Sequence, residues 1–532
     1  VCGWNRDPDR CAPFDKRQVV SVISISETPQ IDGVTTGVIQ HWVNGASWSG
    51  ESAQMSPVFD PATGGVAAQV RLASEFDCDV IAKSSFEAFQ SWRSSSVATR
   101  TRVMFAYREI LSERRETLAA VITAQHGKVL SDALGEVGRG IEVVEFACGV
   151  GELLKGTYNE QVSTDVDVWT VRQPVGPALG ITPFNFPAMV PLWMLPVAIA
   201  CGNTFILKPS ERDPGAAVLL AQWFTEAGLP DGVLNVAHGD ATAVNALIDH
   251  DRVRAVSFVG STPIARHVAT SATGSGKRVQ ALGGAKNHMI VLPDADLEAA
   301  ADAAISAGYG SAGERCMAIS VVVAVDPVGD ELVAAIVERA KTLQIGDGRS
   351  ERVDMGPLVT DIHRDRVRSY VDLGVEEGAM LVLDGRDIVV EDRPNGFWLG
   401  PCLFDNVTTD MRIWSEEIFG PVLCVVRVAT YDEAVALVDE SAFGNGVALF
   451  TRDGGAARRF QQDIEAGMVG INVPIPVPVA YHSFGGWGDS LFGDTKAHGS
   501  EGVNFYTRAK TVTARWADPA TRGPDLGFPR NT

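Results

Sequence analysis

The sequence predicts an α/β protein of two doubly wound domains and a small β arm, and three observations carry that prediction. From residue 178 onward, short apolar runs alternate with amphipathic stretches at the pitch of a parallel sheet covered on both faces. A second series of the same kind runs from 287 to about residue 480. Between them in style, "TYNEQVSTDVDVWTVRQPVG" (157–176) alternates polar and apolar residues as a hairpin does, and the strand-like "GVNFYTRAKTVTARW" (502–516) is free to pair with it.

Residues 1–39 mix acidic and basic side chains without an apolar signal core, which predicts an irregular tail. "HWVNGASW" (41–48) reads as two short strands about an Asn-Gly turn, and "SPVFDPATGGVAAQVRLAS" continues as short β runs broken by Asp-Pro and Gly-Gly. "EFDCDVIAKSSFEAFQSWR" and "ATRTRVMFAYREILSERRETLAAVITAQHGK" place apolar residues three and four apart, the mark of amphipathic helices. "SDALGEVGRGIEVVEFACGVGELLKG" reads as a further helix with Ser131 or Asp132 at its cap. "PALGITPF", "GNTFILKPS", "GVLNVAHG" and "VRAVSFVGS" are then buried strands separated by helical segments.

A chain of 532 residues with 45% hydrophobic content can build several cores. Its net charge of −21 excludes nucleic acid or an anionic membrane as a general partner, since both attract basic surfaces. The eight cysteines are scattered and form no CxxC or Cys/His spacing, so neither a disulfide framework nor a structural metal is expected, and a reducing setting, cytoplasmic or in the mitochondrial matrix, is. "MVPLWMLPVAIA" (189–200) is cut by two prolines and is too short to span a membrane.

Chemistry concentrates in a few segments. "GSAGERCMAIS" (310–320) sets Cys316 beside Arg315 among small residues; a neighbouring cation favours thiolate, and small neighbours let substrate approach, although free cysteine is also a common core residue. "ITPFNFPAMV" places Asn185 after a buried strand, either as an oxyanion donor or as a turn asparagine bonding its own backbone. In "ILKPSERDP", Lys208 and Glu211 lie three apart at an expected helix start, where a carboxylate suits a ribose diol; a helix-terminal charge pair reads equally well. Gly260 and Ser261 turn the strand of "SFVGSTPIAR" into a helix whose N-terminus suits a pyrophosphate.

Taken in order, "PFNFP", "KPSE", "FVGST", "LGGAKNH", "GERC" and "EEIFGPV" resemble the aldehyde dehydrogenase superfamily over roughly residues 40 to 516. The resemblance implies an aldehyde dehydrogenase-like fold with NAD-binding segments at 40–156 and 177–282 and an oligomerisation arm at 157–176 and 497–516. A catalytic domain at 283–496 and a C-terminal tail at 517–532 complete the division. It implies Cys316 as nucleophile and Asn185 as oxyanion partner, with Phe184, Lys208, Glu211, Gly260, Ser261, Glu417 and Phe419 contacting NAD.

One position departs from the pattern. Hydrolytic members carry glutamate before Leu-Gly-Gly, where this chain reads Ala281, which can neither accept a proton nor orient water. A thiol acceptor needs little base assistance, so coenzyme A is the expected co-substrate. "GAKNH", "GERCMAIS" and "GEVGRGIEVVEFA" resemble the CoA-acylating methylmalonate-semialdehyde dehydrogenase family. That resemblance implies Arg139 and Arg315 on the substrate carboxylate, a small carboxylated aldehyde as substrate, no metal, and a homodimer or homotetramer. Arg315 is further expected to bias Cys316 toward thiolate. A CoA-independent aldehyde dehydrogenase using a relayed base such as Glu417, and a catalytically silent binding protein of this fold, are the rival readings.

Overall fold

The computed structural model describes residues 30–516 and Ala520. Two large sheets dominate it. In the first, the parallel strands Arg278–Leu282, Ala255–Val259, Ala178–Ile181, Phe205–Lys208 and Leu234–Val236 lie side by side in that order. Antiparallel edges are added by Leu491–Phe492 on one side and by His41–Val43 with Ala46–Trp48 on the other. These central strands are short and almost wholly buried, so every residue is apolar or internally bonded instead of alternating. The Asn44-Gly45 turn has both residues left-handed (φ 53° and 72°), as a tight hairpin between right-twisted strands requires.

The second sheet runs Met380–Leu383, Cys402–Asp405, Val422–Val428, Ile319–Val325, Asn287–Val291, Gly446–Phe450 and Met468–Ile471, parallel except at its first pair. In each sheet the strand order reverses at the first of its parallel strands, Ala178–Ile181 and Asn287–Val291. In such sheets that reversal opens a crevice at the strand ends. The chain passes from the first sheet to the second through Gly283–Lys286, directly from the carboxyl end of Arg278–Leu282 to the amino end of Asn287–Val291, and returns by way of residues 472–490 to the edge strand Leu491–Phe492. The carboxyl ends of the first sheet therefore face the amino ends of the second.

Helix Met189–Ala200, wholly buried and apolar despite Pro196, packs against helix Leu130–Cys148. Among the described residues no helix is long and apolar enough to cross a membrane. The arm is three-stranded: Val166–Pro174 pairs with Tyr158–Ser163 and, through nine residues, with Thr507–Arg515.

Three expectations need correction. Residues 30–39 are not an irregular tail throughout: Gly37–Ile39 pairs with Gly65–Arg71, and Val34 and Ile39 are buried. The remainder of the expected tails, 1–29, 517–519 and 521–532, lies outside the described residues. The first five residues of the expected C-terminal strand, 502–506, belong instead to helix Gly499–Tyr506, whose Val503, Phe505 and Tyr506 are buried and which packs against the Met189–Ala200 helix. Neither Ser131 nor Asp132 caps its helix: Val129 stands at that position, no side chain bonds there, and Asp132 lies in the first turn, turned to another partner.

Candidate active site

Cys316 is delivered by an unusual piece of backbone. After helix Leu297–Tyr309, Ser311, Ala312 and Gly313 are consecutively left-handed (φ 54°, 52° and 72°), a conformation that only small side chains tolerate at modest cost. A Cβ on Gly313 would stand 2.2 Å from the Gly420 carbonyl, so the run of small residues lets this turn lie against the "EEIFGPV" loop. The Cys316 carbonyl is then held by two amides, accepting from Asn287 Nδ2 at 2.9 Å and Asn445 Nδ2 at 3.1 Å. Asn287 also donates to Ala318 O and accepts from Gly446 N–H. Beneath the turn, Glu314 is buried opposite His126 and His363, at 3.7 and 3.4 Å. Burial pushes its carboxyl up to about 8, so it is a neutral acid at neutral pH.

The sulfur itself is half-buried and shares a small cleft with Ala285, Arg315, Glu417 and Phe419. Burial and then the Glu417 charge push its thiol up to about 12, against the pull of the Cys316 and Met317 N–H groups and, least of all, of Arg315. Arg315 therefore acts in the expected direction, but as the weakest of these influences. Its guanidinium lies flat against Gly310, where a Cβ would come within 2.5 Å of Nη1, and is ion-paired with Asp132. A neutralised cation does little for the neighbouring thiol.

Arg139 stands seven residues beyond Asp132 on the same helix, about 10 Å along its axis. It pairs with Glu142 at 2.9 Å and donates to Val477 O and Pro478 O at 3.1 and 2.9 Å. The two arginines thus lie along one helix, each with its own partner, and among the described residues no hydrogen bond joins them.

Asn185 follows strand Ala178–Ile181 at its carboxyl end and is buried. Among the described residues its side-chain amide bonds to no protein group, whereas its backbone carbonyl accepts from Lys128 Nζ at 2.5 Å. The turn-asparagine alternative is therefore not what the structure contains. Phe184 meets His126, His363 and Phe419 at ring distances of 6.0, 5.7 and 5.8 Å, with the Arg212 guanidinium 4.9 Å over its ring. Phe419 is left-handed (φ 63°), and His363 Nε2 donates to its carbonyl at 2.8 Å.

Lys208 ends its strand with Nζ buried and only a long 3.5 Å contact to Glu211. The pair does not begin a helix, as the sequence suggested; residues 209–214 are a loop and the helix starts at Gly215, which leaves both side chains at the strand ends. Ser261 is the N-cap of helix Thr262–Gly274, yet its hydroxyl makes no capping bond. An ammonium with one weak partner, a half-buried carboxylate and an uncommitted helix N-terminus form a donor and acceptor set that fits a dinucleotide's ribose and pyrophosphate.

Glu417 joins the two halves. Its Oε1 accepts from Ala285 N–H at 2.9 Å, and a Cβ on Gly284 would lie 2.4 Å from Oε2. Burial pushes this carboxyl up to about 7. Lys286, also buried, donates to Ile413 O and Glu416 O and so fixes the start of the same loop. Ala281 is fully buried in the first sheet, its backbone paired beside Phe258 and Phe492, and brings no carboxylate toward the thiol.

Sequence reasoning did not find Asn287, Asn445, Asp132 or Lys128. Asn287 lay inside a quoted motif, but its contact with Cys316 spans 29 positions and Asn445's spans 129, and no local pattern encodes such partners.

Residues 48–512 match the aldehyde dehydrogenase family. A malonate-semialdehyde dehydrogenase of Pseudomonas aeruginosa is 53% identical over 495 residues, 93% of this chain and 99% of that protein. Malonate-semialdehyde dehydrogenase 2 of Geobacillus kaustophilus is 50% identical, with 91% of this chain and all of that protein covered. Among solved structures, a methylmalonate-semialdehyde dehydrogenase from Oceanimonas doudoroffii superposes with a TM-score of 0.90 at 50% identity, covering 92% of this chain and 100% of that one. A betaine aldehyde dehydrogenase from Staphylococcus aureus in complex with NAD+ does so with a TM-score of 0.86 at 28% identity, covering 89% and 94%. The chain belongs to the aldehyde dehydrogenase family.

Proposed function

We propose that this protein is an NAD-dependent, CoA-acylating dehydrogenase of malonate or methylmalonate semialdehyde, with Cys316 as its nucleophile. The observation that carries the reading is a cleft holding a thiol on a fixed backbone, with a buried alanine at 281 where a hydrolytic base would stand. The identity to malonate-semialdehyde dehydrogenases over nine-tenths of the chain supports the substrate class.

NAD is held by Lys208 and Glu211 at one ribose, Gly260 and Ser261 at the pyrophosphate, Glu417 at the other ribose, and Phe184 and Phe419 beside the nicotinamide end. Bound there, it supplies the hydride acceptor for oxidation at Cys316. The sulfur adds to the aldehyde carbon, the oxyanion accepts from the Asn185 amide and the Cys316 N–H, and loss of hydride leaves a thioester. Arg139 and Arg315 orient the substrate carboxylate, exchanging bonds with Glu142, Asp132 and the 477–478 carbonyls for charge-assisted ones. The carboxylate lies beta to the thioester carbonyl, which takes up the electron pair as CO2 leaves, and the resulting enolate takes a proton from water at carbon to give the acetyl or propionyl thioester. The thiol of coenzyme A then displaces Cys316, giving acetyl-CoA or propionyl-CoA.

A second reading has one observation behind it. Glu417, pushed up to about 7 and close enough to act on the thiol, has the proton affinity of a general base and would serve hydrolysis. The arm, with Tyr158, Val162, Val171 and Trp516 exposed, supports a homodimer or homotetramer. The six described cysteines are all unpaired, which suits a cytoplasmic setting.

Turnover of either semialdehyde with NAD should yield acyl-CoA, and leaving out CoA should slow it roughly a hundredfold, the scale of a missing general base. Free acid at full rate without CoA would instead establish the Glu417 reading. Arg139→Ala should lower kcat/KM for the semialdehyde by about 10- to 100-fold, the worth of a charge-assisted bond, while sparing propanal; equal losses on both would remove the carboxylate clamp. Below pH 7 Glu417 is protonated and loses acceptor capacity for a ribose hydroxyl, so NAD affinity should rise as pH passes from 6 to 8. Equilibrium titration of Glu417→Gln should show a flat profile, and a wild-type profile equally flat would take Glu417 off the cofactor.

A further inference from the structure

We infer that Lys128 and Glu136 form a buried bracket that positions Asn185 for oxyanion binding, an inference that rests on the nucleophile and oxyanion roles proposed above. Neither residue belongs to the cleft. Lys128 follows the helix that ends at His126, beyond the left-handed Gly127, and Glu136 sits in the second turn of helix Leu130–Cys148. Their side chains are 1% and 0% exposed and pair at 2.8 Å.

The pair is turned outward to one target. Lys128 Nζ donates to the Asn185 carbonyl at 2.5 Å and lies 4.3 Å over the Phe186 ring. Glu136 Oε1 accepts from the N–H groups of Ala188 and Met189, at 2.8 and 3.1 Å. Those are orphan donors at the start of helix Met189–Ala200, which has no side-chain cap of its own. The turn 185–189 is thereby gripped at both ends, by opposite charges matched to its carbonyl and its N–H groups. Ion pairs this deep contribute little net stability, because removing both charges from water costs about as much as their attraction returns. Fixing a geometry is what they do better. With the 185–186 peptide plane and the helix start both held, the Cα–Cβ direction of Asn185 is set, and its uncommitted amide stays aimed at one point. Lys128 and Glu136 touch neither thiol nor substrate, so they are positioning residues.

The test uses the full-length enzyme, NAD and malonate semialdehyde, with CoA withheld so that the first-turnover burst of NADH reports the Cys316 step. The pair variant Lys128→Met/Glu136→Gln keeps an acceptor for the two N–H groups and leaves no lone buried charge. It should lose roughly a hundredfold in burst rate, the effect of a lost oxyanion donor. NAD affinity and iodoacetamide alkylation of Cys316 should stay within about twofold, since neither uses the Asn185 amide. The decisive readout is the cycle with Asn185→Ala: added to that variant, the pair substitution should cost almost nothing further, because both act on one donor.

Losses that multiply, or a pair variant with the wild-type burst beside a crippled Asn185→Ala, overturn the bracket and leave the oxyanion role standing. A wild-type burst in Asn185→Ala overturns both. Lys128→Met alone, with Glu136 still on both N–H groups, is read the same way if the pair variant does not fold.

Discussion

The site depends on one constraint: the backbone at Cys316 cannot move. Its carbonyl is shared between Asn287 and Asn445, which stand at the amino ends of two adjacent strands, and its approach is locked by three left-handed residues. Because Asn287 starts the strand reached directly from Arg278–Leu282, fixing that carbonyl also fixes the thiol against the carboxyl ends of the first sheet. Asn185, Lys208 and Ser261 stand there, so the sulfur and the proposed oxyanion and cofactor contacts are placed by the same short crossing at Gly283–Lys286. Glu417, bonded to Ala285 N–H, ties a third strand of the second sheet to that crossing.

Electrostatics sharpen the picture. A thiol held up to about 12 by burial is not a standing nucleophile, and the adjacent arginine does not make it one because Asp132 already holds that guanidinium. The thiolate must be favoured by what arrives in the cleft. Opposite charge arriving there adds to the pull that the Cys316 and Met317 N–H groups already exert. Keeping the free enzyme's thiol protonated also shields it from oxidation, which attacks thiolates.

Much of this was legible in the sequence. Strand–helix alternation announced both sheets, and the period-two segments at 157–176 and near the C-terminus announced the arm, because a half-exposed hairpin must alternate. The small residues before Cys316, read as room for substrate, also let their turn lie against the Gly420 carbonyl. What stayed hidden was whatever depended on a partner far along the chain. Asp132 looked like a cap and is the counter-ion of Arg315, 183 positions away. Residues 502–506 looked like strand and close helix Gly499–Tyr506, since packing against Met189–Ala200 overrides their local preference. Lys128 carried no signal at all, because a lone lysine after a helix reads as surface until its burial is known.

The central claim, that the sulfur of Cys316 carries the acyl group, is tested most directly by intact-protein and peptide mass spectrometry of enzyme quenched during turnover of malonate semialdehyde with NAD and no coenzyme A. The account predicts an acetyl or malonyl mass on the peptide containing Cys316, lost when coenzyme A is added before the quench. Turnover with that peptide never modified, or with the acyl group on another residue, would contradict it.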